Sequence, residues 1–504
     1  MPIPIPIPIP IRTLVDDSRA LATLAVPLAL TQLAQVALTT TDTVMMGMIS
    51  AEALAAGGLA MVVFNQMRTM GVGMVTAVGN QVAAASARLE LAEAEAAAPE
   101  AVRAGTAEQA RTDAQARTAA QEKAQEEVRD IVRAALALAT LAGVVGALLI
   151  VLCGQALTWL GQDPEVVDKA RPVLLALAPG LVPALWFQAI RQFTVGMRRP
   201  QALLRITVAS IAVNAALNWA LYHGTWILPA LRLPGIGVAT TLVYALSCLA
   251  LYGSARRDPQ LAPLLDLRIW KARGATLRRL TGLGTPIAAT YGSEAGFFFV
   301  VALMVGTFGS AALAAHTAVN QLVYIVFQIA VGLSHAASIN VSRELALGRT
   351  EAARRIKNTA LACAAAVMAV VAVAYAAAPE LVLRPFFDAD AASDHAAMSI
   401  ATDLLLVAAV LQFFDCTQNI GVGLLRGLDD TKGGFRVTLV GYWLVGLPAA
   451  WLFGRLAGWD TTGVWLGLLT GLAATALLLL RRYHRGLAAR TDAPLTADAP
   501  PAAA

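Results

Sequence analysis

The sequence predicts an all-α integral membrane protein with twelve transmembrane helices in two pseudo-symmetric lobes of six. The first observation is composition: 58% of the 504 residues are hydrophobic and only 14% are charged, whereas soluble domains usually carry about 25% charged residues. The second is a series of apolar segments of about 20 to 30 residues, each long enough to cross a hydrocarbon core of about 30 Å. The third is an internal repeat that relates the two halves of the chain.

The helices are predicted in order from these apolar segments. They lie near residues 20–48, 53–86, 133–160, 171–196, 203–223, 235–255, 280–308, 312–342, 357–379, 397–425, 436–456 and 462–482. Before them, residues 1–19 begin with an alternating Pro-Ile tract, which disfavours a helix because proline lacks a backbone N–H. This segment has no signal-peptide cleavage pattern, and it is predicted to be a cytoplasmic leader.

The remaining boundaries follow from charge. The N-lobe is predicted over 20–255, a cytoplasmic inter-lobe linker over 256–279, the C-lobe over 280–484 and a disordered cytoplasmic tail over 485–504. Within the N-lobe, residues 88–130 are rich in alanine, glutamine and charges and form a predicted cytoplasmic loop. This loop is interpreted as a solvated helical or partly disordered segment, and the alternative is an arm that docks a partner.

Basic residues set the predicted orientation. If both termini are cytoplasmic, the outer loops hold only five of the 38 lysine and arginine residues, namely Lys169, Arg171, Arg232, Arg384 and Arg455. Cytoplasmic loops of membrane proteins carry an excess of these residues. The distribution therefore predicts a multi-pass membrane protein with both termini in the cytoplasm.

The internal repeat is visible at two offsets. A shift of 259 residues gives nine identities over positions 27–56, including Pro27 with Pro286, and a shift of 227 aligns Arg199 with Arg426. Because each half has an even number of predicted helices, both halves face the same way across the membrane. Two such lobes with a cavity between them suit alternating access.

Several function classes are excluded by missing motifs. The sequence has no phosphate-binding loop, no HExxH and no GxSxG, so it predicts neither an enzyme nor an ATP-driven pump. Its four cysteines form no CxxC pair and imply no structural metal or disulfide framework. The sequence also lacks a basic stripe with interleaved aromatic residues, which is the pattern that would indicate a nucleic-acid partner.

Three acidic residues lie well inside predicted spans: Asp42, Glu294 and Asp415. A carboxylate at that depth costs about 2.5–3.5 kcal/mol on insertion scales, so its presence requires a reason. Under the two repeat shifts none of the three aligns with another acid, which makes them specific to one lobe. The alternative for each is a protonated or arginine-paired carboxyl that links two helices.

Polar stripes accompany Asp42. Gln35 and Thr39 precede it at helical spacing, and the fifth predicted helix carries Asn214 and Asn218 four residues apart. If the stripes face each other, their oxygen atoms suit a small cation such as Na⁺, and they equally suit a titrating carboxyl. The alternative is interhelical hydrogen bonding with a structural role only.

The C-lobe acids have aromatic and amide neighbours. Tyr291 and Phe298 share a helical face with Glu294, and this pairing of carboxylate and rings attracts an organic cation. Aromatic core packing is the alternative. The other candidates for this site lie at helical spacing from Asp415 or on the eighth predicted helix: Gln412, Asn419 and Tyr324.

Two repeat-related prolines, Pro27 and Pro286, lie inside the first helix of each lobe and are predicted to kink it. A bendable first helix that carries Asp42 is a candidate gate, and tolerated kinks without a gating role are the alternative. Arg68, near the middle of the second helix, is expected to pair with an acid or to reach an aqueous cavity.

These segments resemble the multidrug and toxic compound extrusion (MATE) family, specifically its NorM-type bacterial branch. The resemblance covers about 20–482 and rests on PLALTQLAQVALTTTDTVMMG at 27–47, FQAIRQFTVGM at 187–197, NAALNW at 214–219, LAAHTAVN at 313–320 and LRGLDDTK followed by YWLVGLP within 425–448.

The resemblance implies a secondary antiporter of the bacterial inner membrane that exports cationic, amphipathic compounds in exchange for Na⁺ or H⁺. It implies that Asp42, Asn214 and Asn218 form the N-lobe cation or proton site, and that Glu294 and Asp415 are the C-lobe acids. No cofactor is expected, and the expected partners are organic cations, the coupling ion and membrane lipid, with a monomer as the working unit. The alternative function is a lipid-linked oligosaccharide flippase of related architecture. It would require basic residues in the cavity, whereas the predicted internal charges are three acidic and two basic.

Overall fold

The computed structural model describes residues 11–97, 107–157, 163–224, 230–387 and 395–491, which form fifteen α-helices and no β-strand. In chain order the helices are α1 (Ile11–Ile49), α2 (Ala51–Ala97), α3 (Ala107–Ala156), α4 (Pro164–Leu177), α5 (Leu181–Gly196), α6 (Gln201–His223), α7 (Leu233–Arg257), α8 (Gly274–Gly306), α9 (Ser310–Ala346), α10 (Thr350–Ala377), α11 (Pro379–Leu383), α12 (His395–Gly427), α13 (Thr431–Leu439), α14 (Leu447–Trp451) and α15 (Asp460–Thr491). The predicted all-α class is confirmed.

Prolines account for two interruptions. A 3₁₀ turn at Ala178–Gly180 joins α4 to α5, and Pro179 lies inside it. A π-helical turn at Val440–Gly446 joins α13 to α14, whose second residue is Pro448. Because proline has no N–H to donate, the helical hydrogen-bond pattern changes at both places while the chain continues in nearly one direction.

Eleven stretches of the described chain are long and apolar enough to cross a membrane, with α4–α5 counted as one and α13–α14 as another. Helix α2, which contains the predicted second span, is not among them. It is 47 residues long, but its interior carries polar residues such as Asn65, Arg68 and Asn80. The chain is therefore a multi-pass membrane protein, and a twelfth crossing by α2 stays a prediction.

Several helices extend beyond their predicted limits. Helix α1 begins at Ile11, within the predicted leader, while residues 1–10 lie outside the described residues. Both described ends of the 88–130 loop are helical, as continuations of α2 and α3, and the ion pair between Arg88 and Glu127 at 2.6 Å joins them. Helix α15 continues to Thr491, so the predicted disordered tail is wrong for residues 485–491.

The helical start of the tail has a packing reason. Leu487 is buried in the core, and Arg490 donates a hydrogen bond to the carbonyl oxygen of Leu428 at 2.7 Å. These contacts hold the last two turns of α15 against the loop after α12. Residues 492–504 lie outside the described residues.

The two halves of the chain, α1–α7 and α8–α15, meet through a duplicated helix crossing. Helix α1 packs on α9, and α2 packs on α8. A Cβ atom added to Gly73 of α2 would lie 2.7 Å from the Cα of Ala288, and one added to Gly332 of α9 would lie 2.6 Å from the nitrogen of Ala29. The repeat shift of 259 maps Gly73 onto Gly332 and Ala29 onto Ala288, so the two crossings are equivalent.

Polar contacts between the halves lie at one end of the bundle, here called the closed end. Asn80 donates a hydrogen bond to Ser338 at 2.7 Å, and Gln81 donates one to Asp429, also at 2.7 Å. Arg343 forms an ion pair with Glu90. These contacts lie away from the end that carries the α1–α2 and α8–α9 turns. They join the halves at the closed end.

The linker between the halves docks on α3 at the closed end. Asp266 forms an ion pair with Arg133 at 2.6 Å, and Asp130 accepts hydrogen bonds from the Arg273 nitrogen at 2.9 Å and the Thr276 hydroxyl at 2.5 Å. Hydrogen bonds from Arg268, together with the pairing to Arg133, hold the pKa of the Asp266 carboxyl far below its ordinary value. The carboxylate thus stays charged and fastens the linker.

We expect Gly73→Leu to loosen the closed end. A side chain at Gly73 meets the backbone of Ala288, and overpacking of this kind costs about 1–3 kcal/mol. In a cysteine-free background with Ser338→Cys, which lies behind the crossing, the rate of maleimide labelling should rise about tenfold, since about 1.4 kcal/mol is a factor of ten. Gly58→Leu is the matched control, because nothing lies within 4 Å of a Cβ added there. Equal labelling rates in the two variants would contradict the predicted role of the crossing.

Candidate functional site

Asp42 lies at a buried junction of α1, α6 and α7. Its Oδ1 atom accepts hydrogen bonds from the side-chain amides of Asn214 at 2.6 Å and Asn218 at 2.8 Å. Its Oδ2 atom accepts one from the hydroxyl of Thr240 at 3.2 Å. All four side chains are almost completely buried. The structure thus brings together three of the five residues predicted for the coupling site.

The sequence reasoning missed Thr240. It lies on α7 and also donates to the carbonyl oxygen of Ile236, one turn earlier, as threonines in membrane helices commonly do. No charge or polar stripe marked α7 in the sequence. The repeating small and polar residues Gly237, Thr240 and Ser247, which are buried on one face of α7, were the signal that was available.

Helix α6 is polar on its inner face and apolar outside. Its buried residues include Thr207, Ser210, Asn214 and Asn218, whereas Trp219 is 56% exposed. This pattern is the reverse of a soluble amphipathic helix, because the outer face meets lipid and the inner face supplies hydrogen bonds to neighbouring helices. It explains why the two asparagines point at Asp42.

Gln35 and Thr39 do not contact Asp42. Both line a central cavity, and the Thr39 hydroxyl donates to the carbonyl oxygen of Val36 at 2.9 Å. The predicted single stripe on α1 is therefore divided along its length. Gln35 and Asp42 share nearly one helical face, but α6 and α7 cover Asp42. Asp42 faces α6 and α7, and the two earlier residues face the cavity.

The central cavity lies between the two halves and has a volume of about 540 Å³. Helices α1, α2 and α5 line it from one half, and α8, α9, α12 and α15 line it from the other. Six of the seven residues predicted as substrate or second-ion contacts line this cavity. They are Tyr291, Glu294, Phe298, Tyr324, Asp415 and Asn419.

Glu294 and Asp415 form an acidic part of the cavity wall. The hydroxyl of Tyr442 donates to Glu294 at 3.2 Å, and the side-chain amide of Asn419 donates to Asp415 at 3.3 Å. Tyr442 was not predicted. It lies in the π-helical turn, and its ring stacks on Phe297 with centroids 4.9 Å apart, so Phe297 belongs to the packing that holds this wall.

Gln412 does not line the cavity. Its amide donates to the hydroxyl of Tyr375 at 3.4 Å, and it is 2% exposed behind Asp415. Although Gln412 lies nearly one helical turn before Asp415, its hydrogen bond to Tyr375 of α10 directs the side chain away from the cavity. Its predicted contact with a substrate stays a prediction.

The cavity holds more positive charge than the sequence suggested. Arg68, Arg191 and Arg426 line it, together with only two acids, Glu294 and Asp415. Arg426 was assigned to a helix end outside the membrane, but it lies in the last turn of α12 and is 4% exposed. Asp42, which was counted among the internal acids, is absent from the cavity wall. The expected excess of acidic charge is therefore wrong for the cavity itself.

Arg68 reaches the cavity rather than an acid. Its Nε atom donates to the side-chain oxygen of Asn65 at 3.3 Å, and no ion pair with a carboxylate is found among the described residues. The sequence predicted either pairing with an acid or a position at an aqueous cavity, and the structure shows the position at the cavity.

Pro27 and Pro286 lie inside α1 and α8 without ending either helix. The carbonyl oxygen of each accepts a hydrogen bond from a threonine one turn later, Thr31 at 2.7 Å and Thr290 at 2.8 Å. Two residues after each proline lies the alanine that packs on a glycine of the other half. Both prolines thus adjoin the duplicated crossing, and their role in gating stays a prediction.

Comparison with known proteins supports the same assignment as the motifs. The family model MatE matches residues 119–220 and 286–452. The chain is 37% identical to the probable multidrug resistance protein NorM of Pseudomonas aeruginosa over 467 residues, which is 92% of this chain and 89% of that protein. It is 33% identical to the NorM protein of Pseudomonas syringae pv. tomato, with 92% of this chain and 93% of that one covered.

Solved structures share the fold. An outward-facing multidrug resistance MATE transporter of the MOP superfamily superposes with a TM-score of 0.79 at 15% identity, covering 95% of this chain and 97% of that one. A eukaryotic MATE transporter superposes with a TM-score of 0.74 at 19% identity, covering 95% of this chain and 98% of that one.

Proposed function

The chain belongs to the MatE family of multidrug efflux transporters, and from that premise we propose that it is a secondary antiporter of the bacterial inner membrane. It expels cationic amphipathic compounds in exchange for Na⁺ or H⁺ by alternating access. Members of this family are transporters, not enzymes. Twelve membrane crossings in two six-helix lobes, with α2 as one of the crossings, are part of the proposal.

The orientation in this proposal rests on the basic residues. The closed end carries Arg88, Arg279 and Arg343 among others, and an excess of arginine and lysine marks the cytoplasmic side. With the closed end in the cytoplasm, the cavity is cut off from the cell interior and faces the outside. The described conformation is then the one that releases a compound.

The observation that carries the proposal is the separation of two acidic sites that share one helix. Asp42 is buried between α1, α6 and α7, whereas Glu294 and Asp415 line the cavity. Helix α1 also contributes Gln32, Gln35 and Thr39 to the cavity wall. An ion that binds Asp42 therefore changes the packing of a helix that the transported compound touches, without occupying the compound's own space.

Asp42 suits either coupling ion. The side-chain oxygens of Asn214 and Asn218 are buried and have no hydrogen-bond partner among the described residues. Rotation of the two amides would turn these oxygens towards the Asp42 carboxylate and, with Thr240, give hard oxygen ligands of the kind that Na⁺ binds. Protonation of the carboxyl would instead remove the charge that the three donors stabilise. No other cofactor is required.

Recognition of the transported compound is proposed for the acidic part of the wall. Glu294 and Asp415 supply negative charge, while Tyr291, Phe298 and Tyr324 supply ring faces in the same cavity. A cation near an aromatic face gains about 0.5–2 kcal/mol, with the higher value for desolvated sites. Adaptable ring contacts favour shape tolerance, which a multidrug transporter needs.

One chain contains every element of this mechanism, so we propose that the monomer is the transporting unit. The alternative of an oligosaccharide flippase is not favoured, because the relatives are named multidrug resistance proteins. The basic residues in the cavity do not require that alternative, since acidic and aromatic groups line the same space.

We expect Asp42→Asn to insert and fold but to abolish efflux of ethidium from cells that lack other pumps. The amide keeps the shape and a hydrogen-bonding side chain, yet it neither titrates nor carries the charge that a cation requires. The measurement is the rate of ethidium loss from energised cells at matched membrane expression. Asp403→Asn is the control, because Asp403 is an exposed acid on another helix. Wild-type efflux by the Asp42 variant would refute the coupling role.

Proteoliposomes should identify the ion. With purified protein and a fluorescent organic cation, an imposed Na⁺ gradient and an imposed pH gradient are tested separately. One of them should drive uptake of the dye against its gradient, and Asp42→Asn should remove that response. Dye movement that follows neither gradient but dissipates a dye gradient would indicate a channel or facilitator in place of an antiporter.

A further inference from the structure

A second cleft, outside the central cavity, lies between α13 and the last part of α15 and has a volume of about 580 Å³. It belongs to the closed end, because α13 follows directly on Asp429, which binds Gln81 there. We call it the arginine cleft. Its wall includes Asp430 and Val437 from the α13 side and Leu478, Arg481, Arg482 and Arg485 from α15.

One face of α15 supplies the positive charge. Arg481, Arg482 and Arg485 follow Leu478 by three, four and seven residues, a spacing that places all four side chains on one side of a helix. Leu487, on the opposite side, is buried in the core. The three guanidinium groups therefore stay at the surface, beside α13.

Contacts with α13 fix the position of Arg482. Its Nε and Nη2 atoms donate to the two carboxylate oxygens of Asp430 at 2.5 and 3.1 Å. A Cβ atom added to Gly433 would clash with this guanidinium group, which thus occupies the space of a side chain. Asp430 also accepts a hydrogen bond from the Gly433 nitrogen at 3.0 Å. The acid of the cleft is therefore already engaged by its own neighbours.

Arg481 and Arg485 remain without such a partner. Both are exposed, and neither forms a hydrogen bond or an ion pair in the part of the chain that the structure describes. Elsewhere at the closed end an exposed arginine finds a carboxylate, as Arg199 does with Asp258 at 2.8 Å. The arginine cleft thus has two guanidinium groups available for an anion from outside the chain.

The cleft lies where the outer surface changes from apolar to basic. On α15, Leu477 and Leu478 are 66% and 40% exposed just before Arg481. On α13, which runs in the opposite direction, Leu439 is 40% exposed three residues after the exposed Arg436. Exposed leucines meet acyl chains in a bilayer, and basic side chains meet its headgroups. A phosphate in the cleft would therefore have its acyl chains beside the leucines.

The chemistry of the donors selects a phosphate with an apolar tail. The planar fork of a guanidinium group binds phosphate oxygens through two parallel hydrogen bonds. Basic pockets between membrane helices on the cytoplasmic side are suited to anionic headgroups for this reason. A soluble phosphate would use the arginines but leave Val437 and Leu478 without a function.

We infer that the arginine cleft binds the phosphodiester headgroup of an anionic phospholipid, such as phosphatidylglycerol, from the leaflet at the closed end. Arg481 and Arg485 contact the phosphate, and Arg482 adds positive charge from its fixed position on α13. This inference is independent of which compound the protein transports and of which ion drives transport.

Two lipids with the same acyl chains test the inference. Purified protein in a neutral detergent is titrated with dioleoylphosphatidylglycerol or with dioleoylphosphatidylcholine, and native mass spectrometry gives the dissociation constant of the first lipid bound. Wild-type protein should bind phosphatidylglycerol about tenfold or more tightly than phosphatidylcholine, because each basic residue at the site attracts the anionic headgroup. Equal dissociation constants for the two lipids would overturn the inference.

Paired substitutions locate the effect. Arg481→Gln combined with Arg485→Gln should remove most of the preference, and the corresponding Lys pair should keep part of it, since lysine retains the charge but not the fork. Arg256→Gln with Arg257→Gln is the matched control, because these are two exposed arginines in the last turn of α7, away from the cleft. The control should bind both lipids like the wild type.

Thermal unfolding provides a second measurement on the same proteins. A lipid that binds only the folded state raises the midpoint of unfolding, so phosphatidylglycerol should stabilise the wild type and the control but not the Gln pair at the cleft. An unchanged lipid preference in that pair, or an equal loss in the control, would overturn the inference.

Glycerol phosphate distinguishes a lipid from a soluble anion. It carries the phosphate without acyl chains, so it should displace bound phosphatidylglycerol only at a concentration at least about tenfold above that of the lipid. Displacement at equal concentration would show a site for a soluble phosphate and would overturn the assignment to a lipid.

Discussion

Burial of the Asp42 carboxyl determines how α1, α6 and α7 pack. A charged side chain in the middle of a bilayer costs about 2.5–3.5 kcal/mol, and hydrogen bonds to a charged group each return about 1.5–3 kcal/mol. Asn214, Asn218 and Thr240 provide three such bonds. Because those donors must face inward, α6 turns its apolar face to lipid, and α1 is held against this half of the bundle. Under the proposed function, an ion that binds Asp42 would act on the packing of α1 through these bonds.

The same helix also reaches the other half. Ala29 on α1 packs against Gly332 on α9, and the repeat-related Ala288 on α8 packs against Gly73 on α2. Backbones approach this closely only where a glycine lacks a Cβ, so the crossing has little tolerance for sliding. Two equivalent crossings related by the internal repeat thus hold the two halves together. The polar contacts beyond them, such as Asn80 with Ser338, add to this joint at the closed end.

The sequence was sufficient for the fold class and the family, since long apolar segments and contiguous motifs carry both. It also indicated Asp42, Asn214 and Asn218, because polar residues at helical spacing are conspicuous in an apolar span. It failed where the outcome depends on which helices become neighbours. Thr240 is an ordinary threonine until α7 lies beside Asp42, Gln412 is turned away by its contact with Tyr375, and Arg426 resembled a loop arginine because it lies one residue from the end of α12. The helical extension of α15 depended on packing of Leu487, which no local pattern reveals.

The charges that line the cavity argue against recognition of a cation by the net charge of the cavity. With Arg68, Arg191 and Arg426 opposing Glu294 and Asp415, the cavity as a whole does not attract cations when both acids are ionised, and it attracts them less when either is protonated. The proposed selectivity for a cationic group would therefore arise locally, where the carboxylates and aromatic rings share a wall. A low-dielectric surrounding strengthens such local interactions over several ångströms. Under the proposed function, the placement of Glu294, Asp415 and the aromatic rings on one part of the wall, and not the sum of the cavity's charges, would orient a cationic ligand.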